Sequence, residues 1–288
     1  MTEAEILVEE GNILKDAGDL GGAERAYRAA IACSPDWSVP YYDLGLLCKY
    51  AGRWQESLDF NLLAAARDPE DEAVWWNLGI AATAVANWPE ARRAWAACGM
   101  SPPPGDGAPD FAFGSIPVRL DADDHGEVVW AHRIDPARAR ILNVPLPASS
   151  HNHGEVVLTD GAADGFRTVN GQKYPVLNAL AVLESSSLRK YVIELASADA
   201  ATIDELVQQA EARGAAAENW GTTTNILCAE CSRGDPHEHE GQQGTPAHPH
   251  CGLAARDDAH VQSIISAWLE RSPCADLVRW FEVDAQAA

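Results

Sequence analysis

The sequence predicts a multidomain chain, helical in its first third and mixed α+β beyond. Three observations predict it: a 34-residue recurrence over 4–105, a Pro/Gly break at 101–110, and alternation of period two after that break. The 288 residues suffice for two or three domains, each with its own core.

Residues 4–105 divide into units 4–37, 38–71 and 72–105. The first carries Leu7, Gly11, Leu14, Ala23, Tyr27, Ala30 and Pro35. The second carries Tyr41, Leu44, Gly45, Cys48, Ser57, Ala64 and Pro69. The third carries Trp75, Leu78, Gly79, Ala82, Ala91, Trp95, Cys98 and Pro103. Small residues fall where two helices must approach closely, and large ones fill the space beside them. Proline ends the second helix of each unit because it cannot continue one. Turn signals at Ala17-Gly18-Asp19, Ala51-Gly52-Arg53 and Ala86-Asn87-Trp88 separate the helices of each pair. The segment resembles the tetratricopeptide repeat (TPR) family, a solenoid of helix pairs. It departs at Glu10, where an aliphatic residue is usual, and at Asn61, where an aromatic is usual.

The resemblance implies a concave surface lined by the first helix of each unit, so a protein or peptide segment is the expected partner. The facing positions are Val8, Asn12 and Lys15, then Tyr42, Leu46 and Lys49, then Trp76, Ile80 and Thr83. Some family members grip a C-terminal carboxylate with Lys, Asn and Arg. Asn12 matches one such position, but Val8, Ala73 and Asn77 stand where basic residues are expected, so that clamp is not expected here. Tyr42, Leu46, Trp76 and Ile80 suit an apolar segment, with Lys15 and Lys49 meeting acidic or carbonyl groups. The alternative occupant is the chain's own C-terminal half, docked intramolecularly.

The linker 101–110 holds four prolines and two glycines. A β-rich domain is expected over 111–187, a small antiparallel barrel or sheet. Its strands are read at 115–120, 127–133, 141–145, 155–158, 165–169 and 173–176, with a short helix at 176–183. Asn170-Gly171 signals a hairpin because both residues tolerate positive φ. The histidines His125, His132, His151 and His153 show no ligand spacing and are expected on surface loops.

Residues 188–288 read β-α-β-β-α-β: a strand at 190–195, a helix at 202–213, strands at 225–228 and 251–255, a helix at 260–270 and a strand at 277–283. That order is the ferredoxin-like arrangement. The insertion 228–251 carries Cys228-Ala-Glu-Cys231, His237-Glu-His239 and His248-Pro-His250-Cys251. Two thiolates at this spacing bind one ion from a single turn, and zinc accepts sulfur and imidazole together. Cys228, Cys231, Cys251 and one histidine (His250, His248, His237 or His239) form the expected zinc set. A redox pair is the competing reading, but Gly234, Asp235 and Pro236 follow where a helix would be wanted. Cys33, Cys48 and Cys98 are expected in helix packing; Cys274 is left open.

Acidic residues outnumber basic ones 43 to 21, for a net charge of -22, which disfavours nucleic acid and anionic membranes. The acidic N-terminus does not read as a signal peptide, and no apolar run is long enough for a membrane span. A cytoplasmic location with reduced cysteines is expected. No phosphate loop, dinucleotide fingerprint, nucleophile elbow or His-Glu-x-x-His names a reaction. The sequence therefore points to a protein-binding adapter with a zinc-stapled C-terminal module. The alternative is a metal-dependent enzyme or metal-handling protein whose repeats recruit a substrate.

Overall fold

The computed structural model describes residues 1–120, 126–197, 199–223 and 250–283. It divides into two compact units, Met1–Ala112 with Ile134–Ala137, and Phe113–Arg133 with Arg138–Ala288.

The first unit is built from helices α1 (Glu3–Asp16), α2 (Leu20–Cys33), α3 (Val39–Tyr50), α4 (Trp54–Arg67), α5 (Glu72–Ala84) and α6 (Trp88–Ala97). Successive helices pack as pairs, α1 on α2, α3 on α4 and α5 on α6. Thr2 and Glu5 form a capping box at the first start, and Asp19, Asp71 and Asn87 cap later ones. The turns inside the pairs place Gly18, Gly52 and Ala86 at φ 84°, 69° and 56°, so an alanine occupies the left-handed position in the third.

Each pair closes by the same interlock. A methyl on Gly79 would lie 2.5 Å from Trp95 ring carbons, and one on Gly45 2.6 Å from Asn61 Nδ2. Gly11 stands equally tight against the Tyr27 ring. Asn61 thus takes the place of the usual aromatic. It is fully buried and donates to Ser57 O at 2.8 Å, while Ser57 Oγ donates to Gly45 O at 2.8 Å. Consecutive pairs share a second recurrent tie. Tyr41 Oη donates to Pro35 O at 3.1 Å, and Trp75 Nε1 to Pro69 O at 2.8 Å. Among the helix cysteines, Cys48 is buried and Cys98 half-buried, but Cys33 is exposed, against expectation. It is the last residue of its helix, where the packed face has already run out.

The second unit begins with a closed barrel of β1 (Gly114–Arg119), β2 (Val128–Arg133), β3 (Arg138–Ile141), β4 (Val156–Val169) and β5 (Gln172–Glu184), in sequence order. Neighbours are antiparallel except at the closure, where β1 runs parallel to β5. Arg119, 1% exposed, secures that seam: its Nη1 donates to Asn178 Oδ1 at 2.7 Å and to Asp164 Oδ2 at 2.8 Å. Asn170 and Gly171 take φ 50° and 79° at the tip of the β4–β5 hairpin, as their residue types require. Three expectations are corrected. Only Ile141 of 141–145 lies in a strand; 155–158 and 165–169 belong to one bulged strand; and 176–183 is strand, not helix. The Leu/Ala-rich run has helical propensity, but pairing with β4 outweighs it.

A four-stranded antiparallel sheet follows. Its elements are β6 (Arg189–Ser197), α7 (Ala200–Glu211), β7 (Ala216–Asn219), the short α8 (Trp220–Thr223), β8 (His250–Ala255), α9 (Asp258–Arg271) and β9 (Asp276–Glu282). The strand order is β7-β8-β6-β9. The second strand lies at 216–219; the stretch 225–228 expected for it is outside the described residues. One core cluster joins Tyr191, Ile193, Leu195 and Leu253 of the strands to Leu206, Ile264 and Trp268 of the helices. A second cluster joins Val192, Ala254 and Trp220 to Val144, in the segment between β3 and β4. Glu218 fastens that segment, accepting from Asn143 Nδ2 at 2.6 Å and from Val144 N–H at 2.7 Å. Trp220 Nε1 donates to Val144 O at 2.8 Å, and buried Lys190 donates to Leu146 O at 2.7 Å and Ser149 O at 2.8 Å.

Two substitutions test these packings. Glu218→Ala leaves an amide and a backbone N–H without their acceptor and is expected to cost the second unit about 2 kcal/mol in urea unfolding. In the first unit, burial pushes the Asp43 carboxyl up to about 6, with Lys15 opposing, and its Oδ2 lacks a hydrogen-bond partner. A raised acid destabilises the fold only when ionised, so the penalty grows as pH rises from about 4 and is complete above about 6. Asp43→Asn is expected to stabilise the helical unit by roughly 1–3 kcal/mol at pH 7.5, with the gain vanishing near pH 4. A difference independent of pH would contradict this.

Candidate peptide-binding face

The positions read as ligand-facing lie on α1, α3 and α5, and they separate into two groups. Asn12, Lys15, Tyr42, Leu46 and Trp76 are half-buried. Val8, Lys49, Ile80 and Thr83 are buried, at 8%, 3%, 0% and 2% exposure. Of the expected floor, Tyr42, Leu46 and Trp76 are half-buried and Ile80 is enclosed, as is Lys49, expected to meet acidic or carbonyl groups. In α5 every residue from Asn77 to Thr83 is buried, so this stretch of the helix is covered on all its faces, while Glu72 and Ala73 at its start are exposed.

Polar groups tie the face together. Lys49 Nζ donates to Asn77 Oδ1 at 2.9 Å, and Asn77 Nδ2 donates to Ala73 O at 2.9 Å and reaches Tyr42 Oη at 3.5 Å. The ammonium of Lys49 also stands 4.4 Å from the Tyr50 ring centroid. Asn12 Oδ1 accepts from Tyr27 Oη at 2.8 Å. Trp76 meets Trp95 edge to face, with centroids 5.4 Å apart, so the residue that closes the third pair also seats the largest side chain of the face. Sequence reasoning missed Asn77 as the bridge between α3 and α5, and Asp43 as a half-buried acid beside Lys15. The second had a signal: a carboxylate inside the apolar run Tyr41–Leu47.

Of the expected metal ligands, Cys228, Cys231, His237, His239 and His248 lie outside the described residues. His250 opens β8, in register with Glu194. Cys251 is fully buried among the apolar side chains between sheet and helices, and burial pushes its thiol up to about 12. Among the described residues no group of three or more His, Cys, Asp or Glu is arranged for a metal ion. Nor is His151 a surface histidine. It is 8% exposed and its Nδ1 lies 3.1 Å from Glu155 Oε2. Burial raises the Glu155 carboxyl, but bonds from His151 and Asn152 outweigh it and hold the group below its ordinary value. His153 Nδ1 lies 3.0 Å from Leu142 O. Both histidines hold the loop leading into β4, a role the lack of ligand spacing could not reveal.

No protein-family model matches the sequence, and no curated protein matches it. The similarities found among solved structures fall on about the helical third. The Sgt2 TPR domain from Aspergillus fumigatus is 21% identical with TM-score 0.32, covering 34% of this chain and 65% of that one, a little under two thirds of its length. The TPR2B domain of yeast Sti1, in complex with an Hsp70 peptide, is 21% identical with TM-score 0.31, covering 33% and 76%. The second TPR of Spaghetti (RPAP3), bound to an HSP90 peptide, is 16% identical with TM-score 0.33, covering 34% and 90%. The first unit itself, by its recurrent spacing, its paired helices and their repeated interlock, resembles a tetratricopeptide segment.

Proposed function

We propose that this chain is a protein-binding adapter: a three-repeat TPR solenoid that takes an apolar segment of another polypeptide on its α3–α5 face. The observation that carries the reading is the line of half-buried Tyr42, Leu46 and Trp76, held in place by the Lys49–Asn77–Tyr42 network. Large aromatic side chains anchored from behind lose little freedom on binding, which favours their use as contact residues. Residues 188–288 we read as a ferredoxin-like module. The order β7-β8-β6-β9 with two helices on one face supports that reading. Within it, Cys228, Cys231 and Cys251 with one histidine from His237, His239, His248 and His250 form a zinc staple for 228–251, a stretch whose residues 232–245 contain no large apolar side chain. The protein acts in the cytoplasm, where these thiols stay reduced. No helix of the described residues is long and apolar enough to cross a membrane.

Capture from a lysate of the source cell tests the adapter. Tyr42→Ala/Trp76→Ala is expected to lose at least ~10-fold of a specific partner that the wild type retains at moderate salt. Equal capture by both proteins would sink the reading. Zinc is checked separately by metal analysis. Stoichiometric zinc is expected in the wild type, and its loss in Cys228→Ser/Cys231→Ser. A wild type free of zinc after purification with zinc supplied would remove the staple but leave the adapter standing.

A further inference from the structure

The binding face read on α3 and α5 continues onto α1, where its chemistry changes. Asn12 and Lys15 stand about one helical turn apart on α1, and Asp43 follows Tyr42 on α3; all three are half-buried. They gather around one hydroxyl. Tyr27 Oη donates to Asn12 Oδ1 at 2.8 Å, which occupies the amide oxygen and leaves its Nδ2 donors to other partners. Burial, with Asp43 and Asp16 nearby, pushes the Tyr27 phenol up to about 12, so it stays protonated and keeps the donor role. Asp43 itself is poorly served. Its Oδ2 is enclosed without a hydrogen-bond partner, and among the described residues no ion pair holds the carboxylate. Lys15 attracts it electrostatically but does not bond to it.

An ammonium and a carboxylate that attract without meeting are both open to a third group. A carboxylate from a partner suits Lys15 and Asn12 but faces Asp43 with like charge. An ammonium or guanidinium suits Asp43 but faces Lys15 with like charge. An apolar group leaves all three polar side chains unpaired as it covers them. A hydroxyl concentrates donor and acceptor on one oxygen, whereas a carboxamide separates them and can reach both sides. We propose that Asn12, Lys15 and Asp43 form a carboxamide subsite at the α1 end of the face. It takes an Asn or Gln side chain of the partner segment, whose N–H donates to Asp43 and whose carbonyl accepts from Lys15 or Asn12. The inference rests on the adapter reading and names the chemistry of its partner: apolar residues on Tyr42, Leu46 and Trp76, with a neutral amide beside them.

The test is selection of random linear peptides, displayed on phage, against the full chain at neutral pH, where Asp43 is ionised. Peptides retained by the wild type are expected to carry apolar residues and one Asn or Gln position enriched about 5-fold over the starting library. Asp43→Asn leaves only the cation, so the same position is expected to turn to Asp or Glu. Lys15→Met leaves only the anion, so it is expected to turn to Lys or Arg. Far-UV circular dichroism checks that each variant keeps its helices, and Lys15→Gln repeats the second arm if Lys15→Met does not. Apolar peptides with no amide preference, a wild-type preference for charged residues there, or one preference shared by all variants would overturn the subsite and leave the adapter standing. A wild type that selects nothing beyond what Tyr42→Ala/Trp76→Ala selects overturns both.

Discussion

The helical unit depends on one steric constraint, the contact of a glycine on the first helix of each pair with a large side chain on the second. Gly11 meets Tyr27, Gly45 meets Asn61 and Gly79 meets Trp95, each at a distance that leaves no room for a Cβ. Close approach of the two backbones buries the flanking alanines and leucines completely, among them Ala23, Leu44, Ala64, Leu78 and Ala91. Protein interiors are packed too densely for one methyl group to be absorbed without displacement. The pair angle therefore follows from the side chain that fills the notch. Trp95 does this and also supports Trp76, so the geometry of the face is inherited from the core behind it.

The second unit depends on polar fastening more than on shape. The segment between β3 and β4 has no regular structure of its own after Ile141, yet its backbone groups are satisfied by side chains from both sheets. Glu218, Trp220 and Lys190 come from the four-stranded side, while Glu127 accepts from Leu146 N–H on the barrel side. Buried backbone groups outside helices and strands need such partners, and here they make one folded unit of two sheets. Val144, placed by these bonds, then completes the apolar cluster with Val192 and Trp220.

The parts of this architecture legible in sequence are those set by local spacing. The helix pairs were legible because Gly, large residue and Pro recur at 34, and the β4–β5 hairpin because Asn170-Gly171 admits few other conformations. What was not legible depends on distant partners. Residues 176–183 look helical by composition and become strand only by pairing with β4. The burial of Lys49 and Ile80 was not legible, since nothing local says that 77–83 is buried throughout. The burial of Cys251 in the core follows from strand register, which its type and spacing do not reveal. Glu218 carried no motif at all, and it became recognisable only through Asn143 and Val144, more than seventy residues away.

The central claim is that the interlock of a glycine with the side chain facing it sets the helical array and, through Gly79 and Trp95, the face. A double-mutant cycle on Gly79→Ala and Trp95→Phe measures it most directly, read as urea unfolding of the helical unit. The Cβ added at residue 79 strikes ring atoms that phenylalanine lacks, and Trp95 Nε1 makes no hydrogen bond whose loss would confuse the result. Gly79→Ala alone should cost roughly 2 kcal/mol, and less by at least ~1 kcal/mol in the Trp95→Phe background. Additive effects would contradict the account, because they would mean that the two residues do not define one another's space.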